Sequence, residues 1–145
     1  MHAGILKAFF LGQATATELS RDLDVIWEPS GSRSRSRRFV FEDLDEDFEI
    51  YPDHLVRVCD AVLAGEIEAP KLEGVGAALF TSDHFTWGEE GAEAERVAQT
   101  VSDWVDPEIN FDLNLETTQK FRHRLLTGEH LFTPADWWMS VHRPA

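Results

Sequence analysis

The stretch from Tyr51 to Trp87 constrains the fold of this chain most, because it holds two helical patterns joined by a short turn. In the first pattern, apolar residues recur at the spacing of one helical face. They are Leu55, Val58, Cys59, Val62 and Leu63. Asp53 is placed to cap the start of this helix, and Gly65 can adopt the left-handed conformation that ends it. The pattern predicts a helix over about 53–64.

The second helix of the pair is predicted to begin at Pro70, whose fixed φ and missing N–H suit a first helical turn. Its apolar stripe consists of Leu72, Val75, Leu79 and Phe80. Four small residues lie within the same helix, namely Gly74, Gly76, Ala77 and Ala78. Glycine in a helix interior costs roughly 1 kcal/mol relative to alanine, so this cluster favours a closely packed, buried position. The close contact would form either within the chain or across a homodimer.

Helical patterns also cover much of the remaining chain. They span residues 5–11, 15–27, 92–105 and 115–127, with a short helix beginning near Pro134. A chain of 145 residues has the length of one typical domain and can bury about two-thirds of its unfolded surface. We therefore predict a mainly α fold, a compact bundle of five to seven helices forming a single domain over residues 1–145.

Two segments before the helical pair break this pattern. Residues 30–38 are rich in serine and arginine and contain no apolar side chain, which predicts a flexible loop. In residues 39–50, apolar residues alternate on both sides of an acidic centre, first Phe39 and Phe41, then Phe48 and Ile50. This alternation predicts a small β-hairpin near residues 39–50.

Cysteine content and hydropathy indicate the compartment. The single cysteine, Cys59, cannot form an internal disulfide, and its place on an apolar face predicts a buried thiol. No apolar run has the length of a membrane span. Residues 1–13 lack the basic start and long apolar region of a signal peptide. The sequence therefore predicts a cytoplasmic protein that is not embedded in a membrane.

The negative charge is concentrated in the middle of the chain. The net charge is −14, and 21 of the 27 acidic residues lie within residues 39–116, against three of the 13 lysines and arginines. A field of this sign repels nucleic acid and anionic membranes, and it speeds the encounter with a basic partner. The charge therefore predicts a basic protein as partner and excludes nucleic acid.

Two acidic runs and two tryptophans are the candidate partner-binding residues. The first run consists of Glu42, Asp43, Asp45, Glu46, Asp47 and Glu49, and the second of Glu89, Glu90, Glu93 and Glu95. Tryptophans are enriched among the residues that dominate binding energy at interfaces. Trp87 directly precedes the second run, and the adjacent pair Trp137 and Trp138 cannot both face one core. We take Trp87 and Trp138 as the candidate anchors.

Catalytic and metal-binding patterns are weak. Asp43, Asp45 and Asp47 have the spacing of a calcium loop, but Phe48 occupies the position that needs glycine. None of the six histidines has the spacing of a helical metal pair, and no glycine-rich phosphate loop is present. Neither a metal nor a cofactor is predicted. Ser82-Asp83-His84 places three catalytic residue types side by side, although working triads are assembled from separate segments.

Two runs carry a resemblance to known proteins. HLVRVCDAVLAGEIEAPKLEGVGAALFTSDHFTW and VSDWVDPEINFDLNLETTQKFRHRLLTGEH resemble a group of short acidic bacterial proteins with no assigned activity, over roughly residues 40–130. In size, acidity and helix content the chain is also similar to bacterial toxin-immunity proteins. Neither resemblance assigns a binding residue.

The charge pattern predicts a non-enzymatic acidic protein-binding module. Its carboxylates would meet a basic surface, such as the phosphate-binding cleft of a nuclease-like effector, as an immunity or inhibitor protein does. Two alternatives stay open from the sequence. One is a small hydrolase that uses Asp83 and His84, and the other is a structural or regulatory subunit.

Overall fold

The structure is a computed structural model that describes residues 1–24, 27–29 and 37–143. For residues 27–29 and 37–38 it describes the backbone only. Helices account for 60% of the structure. The α-helices in these residues are α1 (Ala3–Phe10), α2 (Ala16–Leu23), α3 (Pro52–Leu63), α4 (Leu72–Thr81), α5 (Ala92–Val105), α6 (Leu115–Thr127) and α7 (Trp138–Val141). Single 3₁₀ turns occupy Ala69–Lys71, Pro107–Ile109 and Pro134–Asp136. The prediction of a mainly α fold is confirmed. None of the described helices combines the length and the apolarity needed to cross a membrane.

Helix ends follow the local capping residues. α5 and α6 have the predicted bounds, and the side chain of Asn114 caps α6 by accepting from Thr117 N at 2.9 Å. Gly128, with φ +80°, ends α6 as predicted. The start of α3 differs from the prediction. Pro52 opens the helix, and the ring nitrogen Nδ1 of His54 accepts from Tyr51 N, so Asp53 is not the cap.

The predicted hairpin near residues 39–50 is wrong, although part of it is extended. The strands are β1 (Trp27–Pro29), β2 (Arg37–Phe39), β3 (Phe48–Glu49) and β4 (Phe85–Thr86). β2 pairs antiparallel with β1, and β3 pairs parallel with β4. The alternation of apolar residues marks extended segments but does not choose their partners. Of the predicted flexible loop at 30–38, residues 30–36 lie outside the described residues, and 37–38 belong to β2.

The main core lies between two pairs of helices, α4 with α5 and α3 with α6. Trp104 of α5 and Phe121 of α6 are fully buried, with their ring centroids 5.9 Å apart. Cys59 is fully buried as predicted, and burial raises the pKa of its thiol far above the usual range. One residue of the predicted apolar stripe is not in the core. Phe80, in the last turn of α4, is 68% exposed.

The small residues of α4 pack within the chain. A Cβ atom placed on Gly76 would lie 2.6 Å from the backbone nitrogen of Val105 and 2.7 Å from Cβ of Trp104. No real Cβ contact is that short, so the glycine is what allows α4 and α5 to approach so closely. The close contact predicted from sequence therefore forms between α4 and α5.

A buried ion pair joins α5 to α6. Arg124 Nη2 donates to Asp103 Oδ2 at 2.6 Å, and both residues are less than 10% exposed. The guanidinium also lies over the rings of Phe121 and Phe132, with its carbon 5.5 and 5.2 Å from the centroids. Burial raises the pKa of Asp103, and the charge of Arg124 opposes that rise. These contacts fix α5, the helix that begins within the second acidic run.

Candidate partner-binding surface

The parallel strands β3 and β4 position both acidic runs. The first run leads into β3 and contributes Glu49 to it, while the second run follows β4 after Trp87. Phe48 N donates to the carbonyl of His84 at 2.8 Å, and Ile50 N donates to the carbonyl of Thr86 at 2.7 Å. Two segments more than thirty residues apart in sequence are therefore held side by side.

Asp43 is a structural member of the first run. Its Oδ1 accepts from Leu44 N at 2.8 Å and from the hydroxyl of Ser82, and its Oδ2 accepts from Asp83 N at 2.9 Å. Partial burial raises the pKa of this carboxyl, but the hydrogen bonds from Ser82, Asp83 and Leu44 outweigh it, so the pKa lies below its ordinary value. Asp43 ties the acidic run to the end of α4.

Ser82 completes this connection. Its Oγ accepts from the backbone N–H groups of His84 and Phe85, at 2.9 and 3.0 Å, while its hydroxyl donates to Asp43. The ring of His84 turns instead to Asp47, with Nδ1 3.0 Å from Oδ1. The hydroxyl proton of Ser82 is thus directed to a carboxylate, and no imidazole is placed to remove it. This geometry lends the hydrolase alternative no support.

The ring of His84 lies against the first run, where its protonated form is favoured. The hydrogen bond to Asp47 raises the pKa of His84, and the charges of Asp43, Asp47 and Asp83 raise it further, against a smaller lowering by desolvation. The imidazolium is therefore favoured more than in an ordinary histidine. When protonated, the ring offsets the charge of Asp47.

The remaining acids of the first run are exposed. They are Glu42, Asp45, Glu46 and Glu49. Glu42 lies 3.4 Å from Nε2 of His2. Among the described residues, Asp45 and Glu46 form no ion pair. Asp45, Glu46 and Lys7 line one shallow depression. The Nζ atom of Lys7, however, lies over the ring of Phe48, 5.5 Å from the ring centroid. Asp45 and Glu46 are thus the strongest candidates for a contact with a cationic partner.

The four glutamates of the second run are also exposed and form no ion pair with a described lysine or arginine. Arg96 follows this run directly in the sequence, but its guanidinium lies beside Gly128 at the end of α6. A Cβ atom placed on Gly128 would be 3.1 Å from Nη2 of Arg96. Trp87 is half-buried, packed partly against the core, and it lines a groove beside Glu89 and Glu95. The second run therefore combines free carboxylates with an aromatic surface.

Tyr51 interacts electrostatically with both runs, and the sequence reasoning missed it. The pKa of its phenol is raised, chiefly by Glu49 and to a lesser extent by desolvation and by the charge of Glu93. Glu49 belongs to the first run and Glu93 to the second, and Tyr51 is 46% exposed. An aromatic residue two positions after Glu49 was the only signal available in the sequence. We call the exposed acids of both runs together with Tyr51 the acidic surface.

Trp138 lies apart from this surface. It stacks on His142 with ring centroids 4.3 Å apart, and His142 Nε2 lies 2.8 Å from Asp112 Oδ1. Trp138 borders a small depression with Pro70, in the 3₁₀ turn that precedes α4, whereas Asp43 contacts Ser82 at the other end of that helix. Its neighbour Trp137 is the more exposed of the pair, at 52%. The structure therefore places Trp87 with the acids and separates Trp138 from them.

No set of three histidine, cysteine or acidic side chains is arranged to hold a metal ion within residues 1–24, 27–29 and 37–143. Comparisons of the chain with protein-family models, curated proteins and solved structures find no match. The chemistry of the acidic surface itself is therefore the basis for a functional assignment.

Proposed function

We propose that this protein is a non-enzymatic binding module that holds a basic protein partner on its acidic surface. The observation that supports this most is the parallel pairing of β3 with β4, which sets two exposed acidic runs side by side. Exposed like charges repel each other, so bringing them together destabilises the folded chain by itself. A partner with positive charge would relieve that repulsion on binding.

The proposed partner is a basic, nuclease-like effector, and the protein acts as its inhibitor or immunity protein. A row of exposed carboxylates presents negative charge much as the phosphates of a nucleic acid do. A cleft that binds phosphate therefore offers complementary charge to the acidic surface. Complementary fields raise association rates and discriminate against neutral or acidic proteins.

The test uses a panel of purified basic ribonucleases and deoxyribonucleases, with nucleic-acid cleavage and stopped-flow association as readouts. The variant is Asp45→Lys with Glu46→Lys, because both acids are exposed and unpaired within the described chain. Asp43 stays unchanged, since its hydrogen bonds hold the loop after α4. We expect at least one nuclease to be inhibited, and the variant to associate with it on the order of tenfold more slowly at low salt.

The matched control is Glu66→Lys with Glu68→Lys, in the turn after the far end of α3. It changes the net charge equally and should leave the association rate within about twofold of the unmodified protein, the spread expected for a distant surface change. The rate should fall steeply between about 0.01 and about 0.1 M salt, over which the Debye length drops from roughly 30 to roughly 10 Å. Absence of inhibition throughout the panel, or equal slowing by both variants, would contradict the proposal.

A further inference from the structure

A groove runs beside Trp87, between the loop that follows β4 and the first turns of α5. Its volume is about 470 Å³, and its lining includes Trp87, Glu89, Ala94, Glu95 and Ala98. Pockets of several hundred cubic ångströms are large enough for a bulky side chain or a small ligand. At this groove the acidic surface combines depth and charge with an aromatic side chain.

Small side chains on α5 create the space. Ala94 and Ala98 are four residues apart, so they lie on the same helical face, with one turn between them. Gly91, with φ +104°, directs the chain from the loop into the helix. On the loop side, a Cβ on Gly88 would lie 3.5 Å from Cβ of Ala94, an ordinary van der Waals distance. The loop therefore packs on α5 and leaves the groove open beyond Ala94.

The wall of the groove is anchored to the core. Trp87 follows Thr86, whose carbonyl accepts from Ile50 N at 2.7 Å, and the indole packs in part against the buried cluster. A partly fixed indole loses little side-chain freedom when a ligand stacks on it. Glu89 and Glu95 stand at the same groove with their carboxylates exposed.

An aromatic ring, a floor of small apolar residues and two carboxylates together favour one kind of occupant. It must be flat and apolar enough to lie on the indole, and it must be cationic. A guanidinium meets these needs, because it stacks on aromatic faces and donates paired hydrogen bonds to a carboxylate. A lysine ammonium is more strongly hydrated and cannot stack as a plane.

We propose that this groove binds an arginine side chain of the basic partner. The inference rests on the proposed function, since it names the residue type that the acidic surface recognises. The guanidinium stacks on Trp87 and donates to Glu89 or Glu95, while its aliphatic part contacts Ala94 and Ala98. The groove therefore adds selectivity to the long-range attraction supplied by the other acids.

The probes are capped hexa-arginine and hexa-lysine peptides, which carry equal charge. Titrations are followed by the indole N–H resonance of Trp87, identified by its loss in Trp87→Phe. We expect hexa-arginine to bind roughly threefold or more tightly than hexa-lysine, and to shift this resonance further, because only the guanidinium stacks as a plane and donates paired hydrogen bonds. Ala98→Trp fills the groove without altering charge and should abolish the preference. The control, Gln99→Trp, places the same side chain on the neighbouring exposed position and should preserve it.

If circular dichroism shows that Ala98→Trp is unfolded, the combined Glu89→Gln and Glu95→Gln variant replaces it. This variant should likewise lose the preference for hexa-arginine over hexa-lysine. Equal affinities of the two peptides, or a preference that survives in the folded groove variant, would overturn the arginine site. The proposed function is tested separately in the same titrations. The combined Asp45→Lys and Glu46→Lys variant should bind both peptides more weakly, by a similar factor, and should still prefer hexa-arginine to hexa-lysine. Failure of both peptides to bind would count against the acidic surface itself.

Discussion

Single residues of one chemical type perform different tasks in this protein. Asp43 and Asp45 are two positions apart in the same acidic run. Asp43 accepts hydrogen bonds from Ser82 and Asp83 and holds a loop, whereas Asp45 is exposed and unpaired within the described residues. The sequence spacing does not distinguish them, because Ser82 and Asp83 lie about forty residues from Asp43 in the sequence. Only Asp45 is available to a partner.

Gly76 is the residue on which the packing of α4 against α5 depends most directly. Gly76→Ala places a methyl group 2.6 Å from the backbone of Val105, which cannot move aside as a flexible side chain would. Overpacking of this kind costs about 1–3 kcal/mol, and the better helix propensity of alanine returns at most about 1 kcal/mol. We expect the free energy of unfolding in urea to fall.

Gly4→Ala is the matched control for this measurement. Gly4 lies in α1, and a Cβ there meets no atom within 4 Å. The substitution should leave stability unchanged or raise it by up to about 1 kcal/mol, since it reduces the freedom of the unfolded chain. Equal effects of the two substitutions would show that the close approach of α4 and α5 does not limit stability.

At the level of elements, the short parallel pair β3 and β4 organises the surface. Two strand residues on each side form a weak unit by themselves, since even a two-stranded hairpin is marginal in water. The connection of Asp43 to Ser82 reinforces the pair by holding the segment before β3 against the segment before β4. The relative position of the two acidic runs therefore depends on a side-chain contact as well as on the backbone.

Removing that contact should loosen the strands. Ser82→Ala deletes the acceptor of two backbone N–H groups and the donor to Asp43. We expect a loss of about 1 kcal/mol, typical of a partly exposed hydrogen-bonding group, and faster hydrogen exchange at the amides of Phe48 and Ile50. Ser102→Ala, on the exposed side of α5, serves as control and should leave both exchange rates unchanged.

Acid should reproduce this loosening. The folded pKa of Asp43 lies below its ordinary value of 3.8, so its ionised form stabilises the folded state. The contribution is fully present above that value and is lost as the pH falls through the folded pKa. Exchange at Phe48 and Ile50, corrected for its intrinsic pH dependence, should therefore accelerate below about pH 4 in the unmodified protein. A Ser82→Ala variant with normal exchange would contradict the role of this contact.

For the whole molecule, the net charge of −14 is a cost that folding has to overcome. Excess charge of one sign destabilises a compact state through repulsion. Most acids lie in the central part of the chain, and the pairing of β3 with β4 sets two of their runs side by side. Repulsion between exposed acids is therefore expected to be strong around these two runs.

This repulsion predicts a stabilising effect of salt. The melting temperature should rise as the salt concentration increases from about 0.01 to about 0.1 M, because the shorter Debye length screens the acids from each other. The two double variants, Asp45→Lys with Glu46→Lys and Glu66→Lys with Glu68→Lys, each change the net charge from −14 to −10. Because less repulsion remains to be screened, the melting temperature of each variant should rise less with salt. Scanning calorimetry measures both effects. A melting temperature that falls with salt would indicate that attractive ion pairs dominate.

Sequence alone determined the features that depend on neighbouring residues. The bounds of α5 and α6, the end of α6 at Gly128 and the burial of Cys59 follow from apolar periodicity and helix-capping residues, which act within a few positions. The concentration of acids in the middle of the chain is likewise a property of composition. These local signals were enough to predict a mainly α fold.

Tertiary structure decided which segments meet. Phe48 pairs with Phe85 rather than with Phe41, because pairing depends on how α3 and α4 bring distant backbones together. The same geometry separates Trp138 from both acidic runs and sets those runs side by side along β3 and β4. Contacts between positions far apart in sequence leave no periodic pattern in either segment, so the acidic surface and the groove beside Trp87 appear only once the chain is folded.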